Sequence, residues 1–232
     1  QVTSIEQTGD VRLNDGRTLS LAGLLWPDQS DPMARQRLQQ HLIGKIQGTR
    51  IMIEPVGALD RWHRQAAYIS HDHGTERPVV TVQEKVLGAG LALYWPPPQP
   101  GPCVAGLLKA EQRARHAGAG VWSAIWRRTH RWRLRSDDAA PMSLSRVLTA
   151  HVRSVRAGRS VVFVNIMGPR GRIPGLSMSS KVAEDMRRTG WNEAQWIGKR
   201  IIVRAIAADA TGRRLIIPSS AHVQIDGIAT AP

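Results

Sequence analysis

Short apolar runs alternate with Gly, Pro and Asp-Gly turns in the first half of the chain and predict strands. Val11–Leu13 and Thr18–Leu25 flank an Asp-Gly pair, which is a strong hairpin signal because glycine accepts the backbone angles of the turn. Helically spaced apolar residues predict three helices, which end at glycines or turns. The further predicted strands are Arg50–Ile53, Arg64–Ser70, Val79–Thr81 and Leu91–Trp95, and the helices are Met33–Ile43 (ending at Gly44), Gln83–Leu87 and Cys103–His116.

From Leu144 onward the apolar runs become longer and are separated by glycine turns. Five short strands with one intervening helix are typical of a small closed barrel of the OB type. The predicted strands are Val147–Val155, Ser160–Ile166, Arg200–Ala207, Leu215–Ile217 and Val223–Ile225, and the helix is Lys181–Thr189.

These patterns predict a mainly β fold with some α-helix, arranged as two tandem five-stranded barrels. The run 136–141 has the composition of an exposed linker. We therefore expect a first domain at 1–135, a linker at 136–141 and a second barrel at 142–232.

The 232-residue chain is strongly basic, with 32 Lys+Arg against 18 Asp+Glu and a formal net charge of +14. The excess is divided equally between 1–135 and 136–232, so no single tail accounts for it. Such a surface attracts polyanions, namely nucleic acid, anionic lipid headgroups or acidic proteins. The alternative is that the arginines lie on ordinary solvated faces. No apolar run approaches the roughly 20 residues of a membrane-spanning helix, so we predict no transmembrane segment.

The single cysteine, Cys103, excludes an intramolecular disulfide and a cysteine-rich zinc site. It lies at a predicted helix start, where the helix dipole could lower its pKa, although a buried structural thiol is the preferred interpretation. The start at Gln1 and the lone cysteine fit removal of an export leader. We therefore expect a periplasmic protein, with a cytoplasmic location as the alternative.

Three motifs in the first domain resemble the staphylococcal-nuclease-like (thermonuclease-like) family. The letters L-A-G-L at 21–24 with P-D at 27–28 resemble the family strand R-L-x-G-I-D-x-P-E. The stretch 60–68 resembles the hairpin D-x-Y-G-R-x-L-A-Y, and 107–122 resembles the helix L-L-x-A-E-x-x-A-R followed by G-L-W. Order and spacing agree over about 5–126. The resemblance implies a five-stranded OB barrel with helices packed on it.

The resemblance also implies calcium-dependent phosphodiester hydrolysis. In the family, two Asp bind the cation, a Glu works near the attacking water and two Arg hold the phosphate, because a hard cation prefers oxygen ligands and a phosphate prefers guanidinium donors. Matched residue by residue, one phosphate Arg is kept as Arg64, and Asp28 stands for the Glu with one methylene fewer. One metal Asp falls on Gly9 or Asp10.

At the remaining matched positions, the side chains cannot perform the role that the family residue has. The other metal Asp falls on Leu25, which cannot ligate calcium, and the other phosphate Arg falls on Ser20. Loss of one such group typically costs several kcal/mol of transition-state stabilisation. Arg64 also has a purely structural interpretation, as a salt bridge to Asp60 or Asp28.

Arg and Trp alternate in the segment Trp122–Arg135, which we call the Trp/Arg segment. This composition suits base stacking with phosphate contacts, a membrane interface or a protein hot spot. Trp122 is expected to close the core. The predicted partner-binding residues are Trp126, Trp132, Arg127, Arg128, Arg131 and Arg133. In the second domain, Phe163 is the single aromatic on the predicted strands, which argues against dedicated single-strand binding.

We therefore expect a catalytically degenerate nuclease-like protein that acts as a binding or scaffolding module for a protein complex or an anionic polymer. Nucleic acid binding and peripheral membrane contact stay open. The alternative is a divergent metal-dependent phosphodiesterase that uses Asp10, Asp28 and Arg64. We expect no cofactor, and calcium enters only with that alternative.

Overall fold

The protein, represented by a computed structural model, divides into two compact units, Gln1–Trp132 and Arg133–Pro232. The structure describes residues 1–27, 31–71, 80–97, 101, 103–123, 145–168, 171–172, 175–188, 190–208 and 214–225. The predicted linker at 136–141 lies outside these residues and stays a prediction. Within them the chain is mainly β with some helices, as expected. None of the described helices combines the length and apolar character needed to cross a membrane.

The first unit is built on a five-stranded sheet in the order β1-β2-β3-β6-β5, in which only β3 and β6 run parallel. A separate short ladder joins β4 to β7. The strands are β1 Val2–Ile5, β2 Val11–Leu13, β3 Thr18–Leu21, β4 Leu24–Leu25, β5 Ile51–Pro55, β6 Gln65–His71 and β7 Leu93–Tyr94, and the helices are α1 Pro32–Ile46, α2 Val82–Gly88 and α3 Val104–Ala117.

Local sequence explains where these helices begin and end. Asp31 precedes α1, and its carboxylate accepts a hydrogen bond from the Ala34 amide at 3.0 Å. Thr81 and Glu84 form a reciprocal capping box at the start of α2. Gly118 adopts the left-handed conformation that ends α3.

The second unit contains a closed five-stranded barrel, with the remaining strands attached to it. The ring runs β8-β9-β11-β13-β12 and closes where β12 pairs with β8. The strands are β8 Ser145–Ala157, β9 Val161–Gly168, β10 Gly171–Arg172, β11 Gly175–Ser179, β12 Arg200–Ala207, β13 Arg214–Ile216 and β14 Val223–Ile225, and the helices are α4 Ser180–Arg188 and α5 Glu193–Trp196.

The two units share one order of strand pairing. In each, three strands form an antiparallel meander, a helix follows before the fourth strand, and the third strand pairs parallel with the fifth. In the first unit the fourth strand, β5, approaches β1 through two backbone hydrogen bonds that join Val2 to Gly48 and Thr49. This correspondence is one of topology, because no repeat is visible in the residues themselves.

Several sequence predictions of single elements were wrong. The strand predicted at Val79–Thr81 is not formed by Val80 and Thr81, since Thr81 caps α2 instead. Helix α1 does not stop at Gly44 but continues to Ile46, which is fully buried. The sequence predicted neither β1 nor β11.

The strand β11 changes which segments form the barrel of the second unit. Its sequence, Gly-Leu-Ser-Met-Ser, has only two apolar residues, Leu176 and Met178, and both are buried. Small and polar residues have weak strand propensity, so the strand has no strong local signal. The predicted number of barrel strands is right, but the ring includes β11 and leaves out β14 (Val223–Ile225).

Two glycines hold the end of α3 against the end of α2. A Cβ on Gly120 would lie 2.1 Å from the Gly90 carbonyl oxygen, and a Cβ on Gly90 would lie 2.3 Å from the Ala119 oxygen. The Val121 amide donates to the Gly90 oxygen at 2.8 Å. The contact leaves no room for a side chain, so glycine is required at both positions.

We predict that Gly120→Ala destabilises the first unit more than Gly118→Ala does. Both residues have positive φ, so either substitution costs about 1–2 kcal/mol of backbone strain. Gly120→Ala adds an overlap with backbone, about 1–3 kcal/mol more, whereas the nearest atom to a Cβ on Gly118 is 3.9 Å away. Urea unfolding of the full chain measures both, and equal losses would contradict the close contact.

The second unit buries a cluster of polar side chains. Arg204 is fully buried on β12 and donates to Gln224 Oε1 at 2.6 Å. His222 is also buried, with Nδ1 2.8 Å from the Ser219 hydroxyl. Burial, together with the charge of Arg204, lowers the pKa of His222 to about 4. The imidazole is therefore neutral in the folded protein at neutral pH.

We predict that the second unit loses stability as the pH falls from 7 to 4. The unfolded chain binds a proton at His222 near pH 6.5, whereas the folded chain binds it only near pH 4. The contribution of His222 to the free energy of unfolding is therefore fully present above the unfolded pKa. It decreases by about 3 kcal/mol as the pH falls to the folded pKa. Urea unfolding across this range should show the slope, and His222→Gln should remove that part of it. An unchanged slope in the variant would contradict the assignment.

Candidate functional site

Asp10 and Arg64, which the sequence placed together only through the family resemblance, meet in the first unit. Asp10 directly precedes β2, and Arg64 directly precedes β6. The strand register sets Val11, Leu19 and Gln65 in one row across β2, β3 and β6. The two side chains adjoin this row and are close enough to pair.

The Arg64 guanidinium lies between two carboxylates. Its Nη1 donates to both Asp10 oxygens, at 3.0 and 3.2 Å. Its Nε donates to Asp60 Oδ2 at 2.9 Å, and its Nη2 lies 2.8 Å from the same oxygen. The Arg64 side chain is 26% exposed and that of Asp10 13%. The structural interpretation of Arg64 as a hairpin salt bridge to Asp60 is thus present in the molecule, with Asp10 as a second partner.

Asp60 also organises the turn between β5 and β6. Its Oδ1 accepts hydrogen bonds from the amides of Trp62 and Arg64 at 2.9 and 3.0 Å. Desolvation acts to raise the pKa of Asp60, but the hydrogen bonds from Arg64 and Trp62 outweigh it and leave this pKa below its ordinary value. The Asp60 carboxylate is therefore charged at neutral pH and can pair with the Arg64 guanidinium. Inside the turn, His63 has a positive φ of 59°.

The same turn presents an exposed tryptophan that sequence analysis had not singled out. The Trp62 side chain is 59% exposed. The Arg61 guanidinium carbon lies 3.9 Å from its ring centroid and that of Arg64 lies 4.7 Å away. Cation–π contact of this kind helps to hold Arg64 in place.

A second tryptophan, Trp26, covers the backbone beside Asp10. A Cβ built on Gly9 would lie 2.5 Å from Trp26 Cε3, so the indole rests directly on this glycine. Gly9 has a φ of +94°, which glycine adopts without strain. Trp26 is partly buried and packs on the core, and its Nε1 is buried with no hydrogen-bond partner among the described residues.

Helix α1 holds the neighbouring loop in place. Arg35 donates to the Gln7 carbonyl at 2.6 Å and to the Pro27 carbonyl at 3.0 Å. Gln39 donates to the Ile5 carbonyl at 2.9 Å. These contacts connect the segment that bears Asp10 to the segment that follows Trp26, so both sides of the site are held by one helix.

Ser20 and Leu25, where the sequence departs from the family motifs that it resembles, both lie on strands of the first unit. Ser20 is on β3, opposite Ala66, and Leu25 is on β4, opposite Leu93. Leu25 has no atom that can ligate a cation. In the described part of the chain, no group of three or more His, Cys, Asp and Glu side chains is arranged to hold a metal ion.

The arrangement limits the chemistry that Arg64 can perform. A phosphate that approached Arg64 would compete with two carboxylates, of which Asp10 also accepts from the Thr8 hydroxyl at 3.1 Å. Both Asp10 oxygens accept hydrogen bonds from Arg64, which therefore competes with a cation for them. The described contacts pair the charged groups of the cluster with one another.

The other predicted site residues lie outside the described residues. These are Asp28 and, in the Trp/Arg segment, Trp126, Trp132, Arg127, Arg128, Arg131 and Arg133. In the described part of that segment, Trp122 is partly buried and its Nε1 is inaccessible to solvent, and the preceding residue Val121 is buried.

The idea that the helix dipole lowers the Cys103 pKa was wrong. Cys103 lies at the start of α3 with its Sγ 3.6 Å from Glu54 Oε2. Burial and the negative charge of Glu54 raise the pKa of the thiol to about 11. At neutral pH the thiol is protonated, which agrees with a structural role.

Neither protein-family models nor curated proteins give a match to this chain. The resemblance of its motifs to the staphylococcal-nuclease-like family therefore stays a hypothesis.

We predict that Arg64 and Asp10 stabilise the fold together. Arg64→Ala should lower the free energy of unfolding by about 1–2 kcal/mol, because it leaves two partly buried carboxylates without their donor. A double-mutant cycle with Asp10→Ala in urea unfolding should give a coupling of about 0.5–1.5 kcal/mol. The exposed Arg113 on α3 provides the control variant Arg113→Ala. Coupling no larger than that of the Arg113–Asp10 pair would contradict the geometry.

Proposed function

We propose that the chain is a staphylococcal-nuclease-like protein with two OB-type units. The observation that supports the fold assignment is the shared order of strand pairing, with a meander, a helix and a parallel third-to-fifth pair in each unit. Such an order is the one expected of OB folds. The three matched sequence motifs support the family assignment of the first unit.

We further propose that the first unit is catalytically degenerate and that the protein works by binding. The observation that carries this proposal is the pairing of Arg64 with both Asp10 and Asp60. Leu25 and Ser20 stand where the family has a cation ligand and a phosphate clamp. The indole of Trp26 on Gly9 fills space beside the carboxylate that the enzyme alternative requires.

The binding role rests on charge. With a net charge of +14, the surface attracts anionic partners through a long-range field. The partner classes are an anionic polymer and the acidic surface of a protein complex. The Trp/Arg segment, with Trp126, Trp132 and its arginines, is proposed as one partner-binding element because Trp and Arg are frequent hot-spot residues.

We predict that the full chain does not cleave single-stranded DNA or RNA in the presence of added calcium. The physical reason is that the loss of each transition-state contact costs several kcal/mol, and two contacts are absent. A gel assay with end-labelled oligonucleotides measures cleavage, and the variants Arg64→Ala and Arg113→Ala should resemble the wild type.

The opposite result would be cleavage that depends on a metal ion and on Arg64. Cleavage that a chelator abolishes, that Arg64→Ala abolishes and that Arg113→Ala leaves intact would contradict the proposal. It would instead support a divergent phosphodiesterase built on Asp10, Asp28 and Arg64.

A further inference from the structure

The barrel of the second unit presents an exposed strand face that combines apolar and basic side chains. Along β9, Val162, Val164 and Ile166 are buried. The alternate residues Phe163, Asn165 and Met167 point outward, with Phe163 46% and Met167 42% exposed. We call the surface formed by the outward residues of β8, β9, β11 and β13 the β9 face.

Strand register shows which side chains adjoin on the β9 face. One row across the four strands consists of Arg156, Phe163, Ser177 and Ile216. In the row beside it, Asn165 Nδ2 donates to Ser154 Oγ at 2.9 Å, which shows that these side chains share the outer face. The face is therefore continuous over several strands.

The rows give the β9 face a shallow trough. Ser177 is small and lies between Phe163 and Ile216, which is 42% exposed. Two strand spacings separate these apolar residues, about 10 Å. In the next row Gly175 lies opposite Arg214. Apolar side chains on both sides of a low floor suit an extended segment of a partner.

The described charged side chains of the β9 face are all positive. No Asp or Glu occurs between Asp138 and Glu184, and none occurs in β12 or β13. Among the side chains of β8 and β13 that the structure describes, the exposed charged ones are Arg153, Arg156 and Arg214. None of the three forms an ion pair with a described carboxylate. The face is therefore complementary to an acidic partner and unfavourable for a basic one.

We propose that the β9 face docks an acidic segment of a partner protein. The proposal deepens the proposed binding function and rests on it. Interface cores are enriched in aromatic residues, Met and Arg and depleted in Lys, Glu and Asp, and the β9 face has this composition. A stacking surface for single-stranded nucleic acid uses several aromatic rings for successive bases, whereas Phe163 is the sole aromatic residue among the described strands of this unit.

The test measures binding of a labelled acidic peptide to the full chain. The probe is a short fluorescein-labelled peptide in which Glu alternates with Leu and Ser, followed by fluorescence anisotropy at low and high salt. A second peptide has Gln in place of every Glu, and an oligothymidylate carries the same net charge as the first peptide.

The substitutions distinguish binding at the β9 face from attraction by the net charge of the chain. Phe163→Ser is compared with Met52→Ser, which removes an exposed apolar side chain from the first unit. Arg156→Gln is compared with Arg113→Gln. Because Phe163 and Arg156 are exposed, these variants should keep the wild-type melting temperature, and Ile216→Ser repeats the apolar test from another strand.

We expect the acidic peptide to bind and the Gln peptide not to bind. Phe163→Ser should weaken binding about tenfold, as for an interface anchor, and Arg156→Gln about threefold with a smaller salt dependence. The control variants should be unchanged.

Three results would overturn the docking proposal. The first is no binding of the acidic peptide. The second is peptide binding that Phe163→Ser and Ile216→Ser leave unchanged, since only charge would then act. The third is oligothymidylate binding that is tighter than peptide binding and depends on Phe163. Each is distinguishable from failure of the proposed function, which the cleavage assay reports separately.

Discussion

The structure of the first unit depends on the position of one guanidinium group between two carboxylates. Arg64 joins the residue before β2, Asp10, to the turn residue Asp60, so it links two parts of the sheet that are distant in sequence. The pair with Asp10 is partly buried, and interactions of this kind resist screening better than exposed ones. Under the proposed family resemblance, the same contacts occupy the group that holds a phosphate in that family. In that proposal, one arrangement both stabilises the fold and accounts for an absence of cleavage.

The motif residues that support the family resemblance have structural roles in this molecule. Glu111 is buried on α3 and accepts from the Tyr94 amide at 2.7 Å, which connects the helix to β7. Gly120 allows the contact with Gly90, and Asp60 organises the hairpin turn. The positions that differ from the family motifs, Ser20 and Leu25, lie on β3 and β4. Retention of the first group and change of the second is the pattern expected under the proposal that the first unit keeps a nuclease-like fold without its chemistry.

Sequence reasoning recovered the elements that carry strong local signals. The Asp-Gly hairpin, the capped helix α2 and the apolar runs of β9 and β12 lie close to where they were predicted. It did not recover β11, because Ser and Gly separate its two apolar residues and the strand is stabilised by its neighbours on the barrel. It also offered two partners for Arg64, Asp60 and Asp28. The pairing with Asp10 joins residues distant in sequence and required the strand register, which local pattern does not contain.

The central claim is that Arg64 is committed to its internal carboxylates, and nuclear magnetic resonance tests it most directly. In the full chain labelled with ¹³C and ¹⁵N, the Nε–H signal of Arg64 should exchange slowly with water, since this group is hydrogen-bonded to Asp60. We expect calcium together with inorganic phosphate to leave this signal unchanged. A saturable shift of the Arg64 signal, accompanied by a shift of the Asp10 carboxylate, would show that the cluster opens to a ligand and would contradict the account.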